Sequence, residues 1–376
     1  MMLRRGISAC LAKGLVILGP GALTFFAVLG PGGMARASSP ALEAESRFAA
    51  EQRGIALLFF VSAHGDGSLP LPVQELRRTG GAALAAVFEK QGLSVCAGPP
   101  IEELMQRWRI RTDLSISSGF LEELSRRYAA PRLVVARLAV FPERSFLSAR
   151  VLDTTRGRLL GIEVLELPRE DGREDLREKD GWLILLERSA ADLTACLSWA
   201  GPPEGAPDLI VLPTRATAAG SGLAPLFGDC LLKTLLATGR WSIPDPALIV
   251  TALQAKGWPV EPLQREAIGD LGAQFAGAPL VLSELIAYED PERQGGFALA
   301  EESDDDYDRA IRSAHYVSLR AIDSRSGFLQ GAWDRYREPD RLQGLFGVHR
   351  SPRWLARFDE LAGELVHDMQ FSSEVP

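Results

Sequence analysis

Asp153 and Asp323 have the best claim to a shared chemistry, because each opens the same short pattern, Asp-x-x-x-Gly, closed by Gly157 and Gly327. Paired carboxylates serve general acid–base catalysis. The same residues are also what a tight turn needs, an aspartate that accepts backbone hydrogen bonds and a glycine that takes positive φ. Turn chemistry accounts for both aspartates without a further assumption, and it is the expectation here. The run Glu301-Glu302-Ser303-Asp304-Asp305-Asp306-Tyr307-Asp308 offers carboxylates to calcium. It lacks the alternating ligands, central glycine and distal glutamate of an EF-hand loop. It reads as a solvated stretch or as a partner-recognition loop. His64, His315, His349 and His367 have no zinc-like spacing. His64 lies in Ala63-His64-Gly65-Asp66-Gly67, after an apolar run and where α/β sheets often bind ligands, but a plain loop is expected. Ser221 is not in a Gly-x-Ser-x-Gly elbow, and neither a Walker A lysine nor Gly-x-Gly-x-x-Gly occurs. No catalytic, cofactor-binding or metal-ligating residue is assigned, no cofactor is expected, and the chain is read as not an enzyme.

The N-terminus carries an address. Arg4, Arg5 and Lys13 precede the apolar stretch from Gly14 to Met34, and Ala35-Arg36-Ala37 resembles a cleavage site. That combination predicts a signal peptide over 1–37, cleaved after Ala37, and a periplasmic or exported protein. An uncleaved anchor is the alternative, since the run has the length of a bilayer span. Of 41 basic residues, the signal removes four and no acidic ones. That leaves 37 against 49, a net charge of −12. This acidity excludes a broad nucleic-acid-binding face, and no membrane span is expected after cleavage. Cys96, Cys196 and Cys230 remain. Three is odd, so at most one internal disulfide forms, and small buried apolar residues are the favoured reading of all three.

The elements that would position any of these residues are written twice. At an offset of 147, Gly81 pairs with Gly228, Gly92 with Gly239, Pro99 with Pro246 and Leu133 with Leu280. At an offset of 170, Val151-Leu152-Asp153 and Gly157 pair with Ala321-Ile322-Asp323 and Gly327. The growth in offset marks a polar insertion near 289–311. Self-similarity on this scale predicts two copies of one domain. The expected layout is an N-terminal segment over 38–52, copies over about 53–203 and 206–370, and a tail over 371–376. A proline-rich linker, Gly201-Pro202-Pro203-Glu204-Gly205-Ala206-Pro207, joins the copies.

Each copy opens on an apolar run, Ile55 to Val61 or Leu209 to Leu212, of the kind that forms a buried central strand. An amphipathic helix follows over about 73–91 or 225–238, ending at a glycine suited to a helix C-terminus. A short strand and a helix with proline near its start come next, and then another short helix. The strand 133–140 or 280–288 leads into a hairpin, 146–152 with 158–167 or 316–322 with 328–336. A last amphipathic helix spans 181–199 or 353–370, with Trp182 and Trp354 expected in its core. The order β-α-β-α-α-β-β-β-α predicts an α+β protein, two tandem copies of a mixed-sheet α/β sandwich domain.

This pattern of an opening buried strand, a glycine-closed helix (Gly92, Gly239) and a hairpin turning at Asp153/Gly157 or Asp323/Gly327 resembles the CsgG-like and TolB amino-terminal superfamily of bacterial envelope domains. The resemblance implies a non-catalytic role in assembly or docking. The expected function is therefore a scaffold or docking module of a larger cell-envelope apparatus, with envelope proteins of an assembly, secretion or motility machine as partners and self-association left open. The alternative is a periplasmic ligand-binding module with a pocket at the repeat interface.

Overall fold

The computed structural model describes residues 54–64, 72–141, 144–167, 179–216, 222–288, 314–337 and 354–372. The segment 1–37 expected to be a signal, the segment 38–52, the expected insertion near 289–311, Ser221, His349 and residues 373–376 lie outside the described residues, as do the side chains of Trp182 and Trp354.

The first half folds as β1 (Gly54–Ala63), α1 (Val73–Lys90), β2 (Ser94–Cys96), α2 (Pro99–Arg107), a 3-10 turn at Asp113–Ser115, α3 (Ser118–Tyr128), β3 (Arg132–Val140), β4 (Ser145–Asp153), β5 (Leu159–Leu167) and α4 (Lys179–Cys196). The second half folds as β6 (Ile210–Val211), β7 (Arg215–Ala216), α5 (Ala224–Ala237), α6 (Pro246–Ala255), α7 (Arg265–Gln274), β8 (Leu280–Tyr288), β9 (Ala314–Ile322), β10 (Leu329–Arg337) and α8 (Trp354–Ser372). Sheet one has the order β2-β1-β3-β4-β5, and sheet two has β10-β9-β8-β6 with β7 also on β8. In each, the opening strands run parallel and the hairpin antiparallel. The fold class is the α+β architecture with two mixed sheets that the repeated order predicts.

The repeat is looser at the start of the second half. Pro213 cannot donate to a ladder, and there the opening strand splits into β6 and β7. The counterpart of β2 shrinks to a bridge between Asp208 and Ser242. The segment after that bridge turns instead to sheet one. Leu159 N–H donates to the Ile243 carbonyl at 2.9 Å and Asp245 N–H to the Gly157 carbonyl at 3.0 Å.

Side-chain alternation sorts the strands into layers. Val134, Ala136, Leu147, Ala149 and Val151 face α1 and α4. Leu133, Val135, Phe146, Leu152 and Ile162 face the other way, onto α2 and α3 and onto α5. The opposite side of α5, with α8, covers Val281, Leu285, Val317 and Leu319 of sheet two. Leu280 and Leu282, on the far face of sheet two, pack on α6 and α7. A helix pressed on both sides must be apolar all round, and α5 is, with Leu226, Phe227, Cys230, Leu231, Leu232 and Leu235 all buried. Helix α1 is one-sided. Leu76, Ala83, Leu84, Val87 and Phe88 are buried, whereas Arg78, Ala82, Ala86 and Glu89 are exposed. Both sheets lie in one compact unit, Glu45–Pro376. Among the described residues, no helix is long and apolar enough to cross a membrane.

Candidate functional site: one sheet face, used twice

Strand register aligns the two sheets row by row. On sheet one, the face towards α5 presents Arg137, Ser148 and Val164 in one row, and Val135, Arg150 and Ile162 in the next. The same rows of sheet two are Glu284, Ser318 and Asp334, then Leu282, Arg320 and Ala332. Two of the six positions keep their residue, Ser148 with Ser318 and Arg150 with Arg320.

Sheet one meets a partner within the chain. Asp229, on buried α5, accepts from Arg137 Nη2 at 2.5 Å and also bonds Ser148. Arg150 Nη1 donates to Asp113 Oδ2 at 3.1 Å and Nη2 to the Asp113 carbonyl at 2.7 Å. Arg150 Nε pairs with Asp245 Oδ2 at 2.7 Å. The other oxygen of Asp245 caps helix α6, accepting from Ala247 N–H at 2.7 Å. Lys233, one turn beyond Asp229, reaches Glu163 of β5 at 2.5 Å.

Five charged groups therefore share one dry contact, and their titration shows how tightly. Burial opposes the charge on Asp113, but Arg150 and Arg137 outweigh it and hold the carboxyl below its usual range. For Asp229 and Asp245 burial wins, and both are pushed up despite the arginines. Burial disfavours the Arg150 cation, yet Asp245, Asp113 and Asp229 together raise its pKa. Guanidinium groups fill the space between the carboxylates, so the cluster is chemically a staple rather than a cation site.

Helices α6 and α7 cover one end of the same face of sheet two, at Leu280, Leu282 and Ile322, and among the described residues no counterpart of α5 lies across the rest of it. Arg320, Ala332, Asp334 and Tyr336 are exposed and Glu284 is half-buried. Phe328, in the loop before β10, is 70% exposed, Leu329 at the start of β10 59%, and Tyr336 near its end 51%. Tyr316 donates its hydroxyl to Asp334, and that bond, ahead of burial, raises its pKa. The opposite side of β10 is tied down: Arg335 pairs with Asp368 and Glu364, and Arg337 with Glu360 and Glu364 of α8. Strand β10 is thus anchored from behind, and among the described residues nothing packs on Asp334 and Tyr336 in front. Phe328 and Leu329 mark one end of the strand and Tyr336 the other.

The residues singled out in the sequence fall elsewhere. Asp153 Oδ1 accepts from Thr155 N–H at 2.8 Å and Arg156 N–H at 3.2 Å, and Gly157 sits at φ 66°. Asp323 Oδ1 accepts from Arg325 N–H at 3.0 Å, Ser326 Oγ donates to Oδ2 at 2.6 Å, and Gly327 sits at φ 73°. Both are turn aspartates, held in separate sheets. Gly157 has a second duty, since a Cβ there would collide with Leu248 of α6. His64 stacks on Phe141 at 4.7 Å, and a Cβ on Gly222, just before α5, would stand 2.9 Å from its Nδ1. Burial, then Arg137, lowers the His64 pKa. With its Nε2 bonded to the Ser62 hydroxyl at 3.1 Å, this histidine is a packed, hydrogen-bonded ring at the edge of the same contact. His315 is buried edge-on to Phe358, and burial, then Arg357, lowers its pKa to about 3. The cysteines depart from the expectation of uniform burial: Cys230 is buried, Cys96 half-buried and Cys196 exposed, with no disulfide among these three.

Sequence inspection missed the staple because its members come from five distant segments. One signal was present: Arg137 and Arg150 interrupt otherwise apolar strands, and Asp229 interrupts an all-round apolar helix. A charge in such a setting calls for a buried counter-charge.

No family model matches this chain, and no curated protein matches it. Among solved structures, the C-terminal domain of LpoB from Salmonella enterica matches at 12% identity, over 31% of this chain and 82% of that one, with a TM-score of 0.24. The same domain from Escherichia coli matches at 14% identity, over 30% and 82%, with a TM-score of 0.23. A lipoprotein from Neisseria meningitidis, GNA1162, matches at 15% identity, over 38% and 97%, with a TM-score of 0.27. At these scores the likeness carries no argument about function.

Proposed function

We propose that this chain is a non-enzymatic docking module of the bacterial cell envelope, exported by its N-terminal signal and built from two copies of one domain over about 53–203 and 206–370. The CsgG-like and TolB resemblance belongs to the same proposal. The observation that carries it is the bare outer face of sheet two. That face repeats, position for position, a face which sheet one uses to seat helix α5. In this reading the occupant is a helix of a partner protein. Its charge is the reverse of α5: Glu284 and Asp334 stand where Arg137 and Val164 stand in sheet one, so the helix presents lysine or arginine where α5 presents Asp229. Arg320 keeps the place of Arg150 and takes a carboxylate beside it. A second copy of this chain is a poorer fit, because the matching helix α1 turns Arg78, Ala82, Ala86 and Glu89 outward, not the apolar surface of α5. The ligand-binding alternative needs space between the halves, and there the structure has the packed staple.

The test is capture of the tagged full-length chain from detergent-solubilised envelopes of its host, beside the variants Asp334→Lys and Tyr336→Ala and the control Ala86→Glu on the outer face of α1. The proposal expects a partner retained by wild type and the control and lost from both sheet-two variants. Equal recovery with all four chains, or recovery of none, would overturn it.

A further inference from the structure

Strand β1 has ten residues, but β2 pairs only with Gly54, Ile55 and Ala56. Beyond Cys96 the chain leaves the sheet, with Gly98 at φ 72° and Pro99 opening α2. From Leu57 to Ala63, β1 is paired on its other side by β3, and on this side no described strand pairs with it. Seven residues of strand edge span about 20 Å, enough for a typical added strand. The edge reads Leu57-Leu58-Phe59-Phe60-Val61-Ser62-Ala63, with none of the charges or prolines that protect a free edge from pairing.

A groove of about 290 Å³ opens on the first three residues of this edge, Leu57 to Phe59. Its floor is Leu57, Leu58 and Phe59, and its walls are α1, at Arg78 and Gly81, and α2, at Ile101 and Met105. It continues into a second hollow of about 370 Å³ lined by Arg77, Arg109 and Arg111, with Glu102 in both. Arg77 leans across the boundary, 5.7 Å over the Phe60 ring and 3.2 Å from the Met105 sulfur. Four arginines against one glutamate make the rim basic on a chain that is acidic overall.

We propose that this groove binds an extended acidic peptide segment of a partner protein, added as a strand along the free edge of β1. Main-chain bonds to the edge supply affinity. Alternate side chains of the segment enter the apolar groove, and its carboxylates meet the arginine rim. Gly81 is what keeps the groove open: a Cβ there would lie only in ordinary contact with Phe59, 3.5 Å away. A larger residue is therefore accommodated by the helix while its side chain fills the peptide's place. This site is separate from the sheet-two face and stands or falls apart from it.

Fluorescence anisotropy with a labelled Glu-Val repeat octapeptide and the full-length protein tests it. Two control peptides separate the forces: a Lys-Val octapeptide reverses the charge, and a Glu-Pro octapeptide keeps the charge but lacks alternate N–H donors. The Glu-Val peptide is expected to bind saturably, at least tenfold tighter than either control. Gly81→Leu, with its folding checked by circular dichroism, is expected to lose at least tenfold, and Arg78→Glu about threefold to tenfold. Tyr336→Ala is expected to bind as wild type, which separates this groove from the docking face. No saturable binding, equal binding of the Glu-Pro peptide, or full affinity in both Gly81→Leu and Arg78→Glu would overturn the proposal.

Discussion

The row Arg137, Ser148 and Val164 of sheet one lies under a helix, whereas in its counterpart of sheet two Ser318 is buried, Glu284 half-buried and Asp334 exposed. The strands beneath are the same length, run in the same order and keep the same serine and arginine. What differs is the neighbour. In sheet one, α5 converts a half-polar strand face into a buried contact, and the charges there are fixed by carboxylates from three other segments. In sheet two, the residues that would have to be buried are replaced by ones that tolerate water, Glu284 for Arg137, Asp334 for Val164 and Ala332 for Ile162. The comparison teaches that two sheets of the same strand order can differ in which face folding covers, and that charge at a few positions goes with that difference.

Removing one acid from each contact puts the largest stress on this comparison. Asp229→Ala takes from Arg137 its closest carboxylate and leaves it only Asp113, at 3.5 Å, and is expected to cost about 3 kcal/mol in urea unfolding. Asp334→Ala, on the open face, is expected to stay within about 0.5 kcal/mol of wild type. Equal costs would erase the distinction between the faces.

A smaller effect concerns the half that α5 and α8 bury. The folded-state pKa of His315 is depressed to about 3 from an ordinary 6.5. Its contribution to stability is therefore fully present above pH 6.5 and is lost as pH falls through the window towards 3. The slope is at most about 1.4 kcal/mol per pH unit for one proton. Unfolding free energy measured from pH 7 to 4 should fall less steeply in His315→Gln than in wild type. Asp229 and Asp245, pushed up by burial, work in the opposite sense: their contribution is full below the ordinary carboxylate range and lost as pH rises through their folded values. The acid limb is thus shallower than the histidine alone would make it. Identical slopes in wild type and His315→Gln would remove the histidine from the account.

The smallest effect separates neighbouring glycines of α1. A Cβ at Gly80 would collide with the Phe59 ring, whereas at Gly81 it has room. Gly81→Ala is expected to raise stability by about 0.5–1 kcal/mol through helix propensity, and Gly80→Ala to lower it by about 1–3 kcal/mol through overpacking. Thermal melts of the pair check both signs.

Elements fixed by local chemistry were legible in the sequence. The hairpins, the turns at Asp153 and Asp323, and the helix-ending glycines Gly92 and Gly239, at φ 82° and 65°, all fall where alternation and turn residues put them. The split of the second opening strand followed from Pro213, a residue whose missing N–H was there to be read. The staple was not legible, because pairing Arg150 with both Asp113 and Asp245 depends on how two halves pack. The open face was hidden for the same reason. Arg320 and Arg150 hold the same place in their sheets, and only the packing around Asp113 and Asp245 shows that one is buried and the other exposed.

The most direct test of the docking face is site-specific photo-cross-linking in the host, with a photoreactive phenylalanine analogue at Ala332 of the outer face of sheet two and, separately, at the exposed Ala195 of α4, which lies in neither proposed site. The account predicts one reproducible covalent adduct from position 332, abolished when Asp334→Lys is added, and none from position 195. Adducts from both positions alike, or none from position 332, would contradict it.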